Sequence, residues 1–123
     1  MEDRFRFRAF CKDTKEMFDV YDFTDEFVHE EVEDGFEVHF RIDCILEQCT
    51  GLKDNTGKLI YEGDILKNLH NGRYIVEWRV NGFWYVRETS DEKFGCALAG
   101  IKTLNDDWEV IGNIHENPEL LEV

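Results

Sequence analysis

Two carboxylates set two residues apart, Glu62 and Asp64, flank Gly63 beside a tight turn, a spacing that could hold a cation. An Asp after a turn glycine more often caps backbone N–H groups and fixes the entry to the next strand, and this is the reading adopted. A second group is aromatic and basic: Trp78, Trp84 and Tyr85 lie close in sequence, with Arg73, Arg79 and Arg87 interleaved. Such a surface can stack bases or grip a peptide. Strand alternation puts Trp84 and Tyr85 on opposite faces, so one of them belongs to the core. Trp78 shares its face with Val76 and Val80 and is assigned to the core. The candidate partner-binding surface is therefore Trp84, Tyr85, Arg87 and Arg79.

Other chemistry finds little material. Ser90 is the sole serine, lies among charged residues and has no G-x-S-x-G elbow around it. Neither a phosphate-cradling G-x-x-x-x-G-K-[ST] loop nor a dinucleotide fingerprint is present. Cys11, Cys44, Cys49 and Cys96 form no C-x-x-C pair, and His29, His39, His70 and His115 are scattered. Buried thiols and surface imidazoles explain them better than a zinc site. The expectation is a non-enzymatic protein with no catalytic residues, no cofactor and no metal.

Net charge is −14 and unevenly placed. Residues 19–47 carry eleven acidic side chains against the single Arg41, a net of −10. Phosphate backbones are repelled by such a segment, so nucleic acid is an unlikely partner. A solvated acidic surface is the plain reading; a face that docks on a basic protein or mimics DNA is the sharper one. No apolar run reaches the ~20 residues of a membrane span. The N-terminus is charged from Glu2 onward with no apolar signal region, so a soluble cytoplasmic protein is expected.

The elements that must position these residues are strands. Phe5, Phe7 and Ala9 alternate with Arg4, Arg6 and Arg8, and residues 17–21 return as a partner. Asp34-Gly35 centres a second hairpin, after which Phe36, Val38, Phe40 and Ile42 alternate with Glu37, His39 and Arg41. Turn chemistry then falls on Gly57, Gly63 and Asp64, and on the pairs Asn71-Gly72 and Asn81-Gly82, which link three strands into a meander. Asn117-Pro118 starts a short helical turn at the C-terminus. The fold class is all-β, built of small barrel and meander modules. Residues 1–50 form a hairpin subdomain with the acidic segment and residues 51–123 an SH3-like barrel, together one compact domain.

Three stretches carry a resemblance: RFRAF (residues 6–10), TGLKDNTGKLIYEGDIL (50–66) and WEVIGNIHENPELL (108–121) resemble the YopX family of phage and prophage proteins. That resemblance implies a small, mainly β accessory protein of uncharacterised function in the bacterial host cytoplasm, with a tendency to self-associate. It implies protein binding, to a host or phage partner or as a homo-oligomer; the alternatives are a nucleic-acid-binding small barrel and an acidic DNA-mimic inhibitor. The run Phe83 to Arg87, apolar on both faces through Val86, is the expected subunit contact. Weak binding to duplex DNA at moderate salt is expected; a gel-shift titration showing tight, salt-sensitive binding contradicts it.

Overall fold

The computed structural model describes residues 6–67, 72–78, 84–88, 95–97 and 108–121. The chain is all-β. The first strands are β1 (Phe7–Cys11), β2 (Glu16–Phe23), β3 (Phe27–Val32), β4 (Gly35–Phe40), β5 (Cys44–Lys53) and β6 (Leu59–Tyr61). They form one antiparallel sheet in the order β4-β3-β2-β1-β5-β6. After Tyr61 the chain changes sheets. β7 (Asp64–Lys67), β8 (Arg73–Trp78), β9 (Trp84–Glu88), β10 (Gly95–Ala97) and β11 (Glu109–Asn113) form the second, in the order β10-β9-β8-β7-β11. Helical geometry is confined, among the described residues, to 3-10 turns at Arg41–Asp43 and Pro118–Leu121.

The second-half strands pair as a meander, with Ile65 opposite Ile75 and Val76 opposite Val86. They stay an open sheet rather than closing into an SH3-like barrel, because β6 pairs with β5 in the other sheet and β10 and β11 are left as edges. In the second hairpin Val32 faces Gly35, so Glu33 and Asp34 make the turn and Gly35 opens the strand at φ +143°, a backbone angle that L side chains rarely adopt.

The core lies where the sheets meet. Ile60 from the first packs with Leu66, Val76, Val86, Trp108 and Val110 from the second half of the chain, and Leu52 and Tyr74 close its sides. Trp108 meets Tyr74 edge to face at 4.9 Å. Each such side chain contributes roughly 1.5–3 kcal/mol through burial.

One turn is tied to this core by a single carboxylate. Asp54 Oδ1 accepts the N–H and hydroxyl of Thr56 at 2.9 and 2.7 Å and the N–H of Lys58 at 2.9 Å. Its Oδ2 accepts the N–H of Val110 in β11 at 2.8 Å, and the N–H of Asn55 donates to the Trp108 carbonyl at 2.9 Å. Gly57 completes the turn at φ +89°. Burial opposes the charge on Asp54, but these donors together hold its carboxyl below the ordinary value.

Asp54→Ala should therefore lower stability by about 2–4 kcal/mol at neutral pH in urea unfolding. A folded-state pKa below the unfolded one gives stability that is present above about pH 4 and lost as pH falls through the folded value. The gap between wild type and variant should accordingly narrow on acidification.

Candidate functional site

Arg8 comes from β1, with its side chain among the buried groups of the molecule. Its Nε donates to Glu47 Oε1 at 3.0 Å, and its Nη2 meets Asp64 Oδ1 at 2.7 Å and the Glu62 carbonyl at 3.1 Å. The guanidinium lies 4.7 Å from the centre of the Tyr61 ring. Glu47 Oε2 is bonded to His115 Nε2 at 3.0 Å, and the His115 ring stacks on Phe10 at 4.8 Å. Asp64 Oδ2 accepts the N–H of Tyr61 at 2.7 Å.

Local chain geometry explains each placement. Alternation in β1 turns Arg8 toward the corner at residues 62–64, where the chain leaves one sheet for the other. Gly63 sits there at φ +82°, and a Cβ would stand 2.1 Å from Glu47 Oε2, so only glycine leaves space for that carboxylate. The N–H of Gly63 donates to the Val76 carbonyl at 2.9 Å, and that of Ile114 to the Gly63 carbonyl at 3.0 Å. His115 is held by its own loop, because Asn113 Oδ1 accepts the N–H groups of His115 and Glu116 at 3.0 and 2.9 Å.

Burial pushes both the Glu47 and the Asp64 carboxyls above their ordinary values; Arg8 opposes the shift at both, and His115 also opposes it at Glu47. Burial likewise pushes the Tyr61 hydroxyl up to about 12. The cluster borders a cleft of about 710 Å³ between the sheets, lined by Ile45, Glu47, Ile75, Trp78, Ile114 and Leu121 among others. Raised carboxyls beside a histidine and a cleft resemble acid–base machinery. Here, however, both oxygens of Glu47 and both of Asp64 are engaged by protein donors. The arrangement ties β1, β5, the sheet-changing corner and the residues after β11 together. It also commits Asp64 to capping and pairing rather than to holding a cation with Glu62.

The aromatic and basic candidates are placed differently. Trp84, Tyr85 and Arg87 lie on β9, paired with β8 on one side and β10 on the other, and the description of these three is of backbone alone. Val86 between them is fully buried. Arg79, Phe83, Asn71, Asn81 and Gly82 lie outside the described residues, and Gly72 precedes β8. Trp78 is 50% exposed, not in the core: it ends β8 beyond Val76, where the packing runs out at the cleft. His115 is no surface imidazole, being drawn in by Glu47 and Phe10.

Sequence reasoning missed a second surface. Tyr21, Phe36, Val38, Phe40 and Ile42 are each half-exposed or more. Phe36 stacks on Tyr21 at 5.9 Å and meets the edge of His29 at 4.7 Å, while Phe40 lies against Phe27 at 5.8 Å. Tyr21, Phe36, Val38 and Phe40 share one face of the β2–β4 region, Ile42 follows in the 3-10 turn, and His29 is paired with Asp22. The opposite face is the inward one, where Val28 is fully buried and His39 stacks on Phe18 at 4.5 Å. On that side Glu30, Glu37 and His39 bring ligand atoms within 4.8 Å of one another, the described trio best placed to hold a divalent cation. The His39 ring is already bonded to Glu30 at 2.9 Å. The alternation at residues 36–42 was the available signal for the exposed face, but alternation marks an apolar face without saying what covers it.

Residues 6–122 match the family described as YopX protein. No curated protein matches the chain. Among solved structures, the crystal structure of protein EF1440 from Enterococcus faecalis is similar, with a TM-score of 0.66 and 28% identity over 95% of this chain and 97% of that one.

Removing Arg8 tests the buried cluster. Arg8→Met leaves two buried carboxylates without their cation and should cost about 3–5 kcal/mol near neutral pH. Their folded-state pKa values then rise further above the unfolded ones, so stability falls as pH climbs through that window. Denaturant unfolding toward about pH 5 should recover part of the deficit.

Proposed function

The chain belongs to the YopX family, and on that premise we propose that it is a non-enzymatic phage or prophage accessory protein that works by binding another protein in the bacterial cytoplasm. The observation that carries this reading is the exposed aromatic face of the β2–β4 region. Contiguous apolar surface on a protein is commonly an interaction site, since water is displaced from it at a gain of roughly 25 cal/mol per Å². Tyr21, Phe36 and Phe40 are large, rigid groups of the kind that anchor protein contacts.

Two features weigh against the other readings. The buried carboxylates nearest the cleft have their oxygens taken up by Arg8, His115 and the Tyr61 N–H, which supports a structural role over a catalytic one. A DNA mimic needs its charge displayed as a phosphate-like array, whereas this face presents aromatic rings with carboxylates beside them. The net −10 over residues 19–47 also disfavours nucleic acid. Among the described residues no helix is long and apolar enough to cross a membrane.

The double variant Phe36→Ser, Phe40→Ser tests the reading. Both rings are more than half exposed, but Phe36 meets Tyr21 and His29 and Phe40 meets Phe27, so each substitution should cost about 0.5–1.5 kcal/mol and leave the protein folded. Tagged wild-type protein captured from phage-infected cells should bring down a specific protein that the variant loses. Retention of every partner by the folded variant would falsify the assignment of the face. A wild type that sediments as an oligomer while the variant is monomeric would identify a second copy as the bound protein.

A further inference from the structure

We infer that β4 is a strand-addition edge and that its partner is a cationic amphipathic β-strand of another protein. The inference rests on the binding role proposed for this face and names the partner's chemistry. Among the described residues β4 is the outer strand of the six-stranded sheet, hydrogen-bonded to β3 on one side only. Its other side therefore presents alternate N–H and C=O groups to solvent, the template on which an added strand pairs. Five of its six residues are exposed and His39 is half-buried, with Phe36, Val38 and Phe40 each 54–64% exposed. The edge carries no proline and no lysine, and Glu37 is the one acidic side chain on it.

Register gives the partner its pattern. A strand laid beside β4 sets alternate side chains against the two faces of the sheet. On one face its neighbours are Phe36, Val38 and Phe40, which call for apolar groups. On the other they are Gly35, Glu37 and His39, with Glu30 one strand further and bonded to His39, and the Glu37 carboxylate calls for lysine or arginine. The strand that fits alternates apolar and basic residues. Charge decides between a foreign strand and a second copy. Two copies paired through β4 would bring two segments of net −10 within a Debye length of about 8 Å, whereas a basic strand is drawn to the same field.

A synthetic peptide alternating lysine and valine, labelled for fluorescence anisotropy, tests this on the full chain. It should bind, weaken with added salt and protect the backbone amides of residues 35–40 from hydrogen exchange. A glutamate–valine peptide should not bind. The lysine–valine peptide N-methylated at two adjacent central residues, which blocks both its edges, should bind at least about tenfold more weakly. Equal binding of the methylated peptide overturns strand addition, leaving charge alone. No binding by any peptide overturns the partner chemistry while the capture result for Phe36 and Phe40 stands by itself. Protection of residues 35–40 that rises with protein concentration, without peptide, makes the occupant a second copy and overturns the inference.

A second, independent observation concerns two thiols. The structure assigns Cys11 and Cys44 as a pair able to form a reversible cross-strand disulfide. They lie directly opposite in the β1–β5 pairing, and both are free. The Lys12 N–H donates to the Asp43 carbonyl at 2.8 Å, a bond that flanks the pair and makes it the non-hydrogen-bonded kind. Such partners have Cα atoms about 4.5 Å apart, within the range of about 4.4–6.8 Å that a disulfide spans. Hydrogen bonds from Thr14 hold the Cys11 thiol below its ordinary value, and burial raises that of Cys44. With glutathione disulfide as oxidant, the Cys11 thiolate attacks one sulfur and releases glutathione. The Cys44 thiolate then attacks Cys11 Sγ and releases the second, so two thiols are oxidised as one disulfide is reduced.

Native protein treated with glutathione disulfide should lose two hydrogens and yield a linked Cys11–Cys44 peptide on digestion. Cys44→Ser should instead keep a glutathione adduct on Cys11. Unlinked, alkylatable Cys11 and Cys44 in the treated wild type, or a link to Cys49 or Cys96, would overturn the assignment.

Discussion

The structure depends on keeping one cation, Arg8, inside the molecule. Taking a guanidinium out of water is costly unless its donors meet acceptors of opposite charge. Arg8 meets them from two parts of the chain: Glu47 on β5, and Asp64 with the Glu62 carbonyl at the corner where the chain changes sheets. The demand is mutual, because two buried carboxylates without Arg8 would each take up a proton or stay out of the interior. His115 adds the residues after β11 to the same centre. Four pieces far apart in sequence are thereby held in one register, and apolar packing around Leu66, Val76 and Trp108 supplies the bulk of the burial.

That centre and the exposed face divide the molecule's work. At the corner every strong polar group has its partner, and Gly63 keeps backbone and carboxylate close enough for this to hold. At the far edge of the first sheet the balance is reversed. Phe36, Val38 and Phe40 lie on the outer strand half-exposed, with the Tyr21, His29 and Phe27 rings beside them and acidic residues as further neighbours. Stability concentrated at one end lets the other carry surface that gains nothing from water. The acidity of residues 19–47 surrounds that apolar face with negative charge.

Much of the architecture was legible from short-range chemistry. Alternation named the strands at residues 7–9 and 36–40, because the period of two is fixed by the backbone itself, while residues 41–43 turn as a 3-10 segment instead. Gly57, Gly63 and Asp64 named their turns, since an Asp side chain and a positive-φ glycine act within a few residues. The family motifs were equally readable, and they match over residues 6–122.

What the sequence could not decide was which surfaces meet. Trp78 looked like core by its place in the alternation, yet β8 outruns the packing and leaves it at a cleft. Phe36, Val38 and Phe40 have the pattern of a buried face and are exposed, because alternation sorts side chains between two faces and cover comes from other elements. In the sequence Arg8 is one of three arginines alternating with apolar residues, and Glu47 is one acid among eleven. Only the tertiary structure brought them to 3.0 Å, across 39 residues, where desolvation turns two ordinary surface charges into a pair that neither can leave alone.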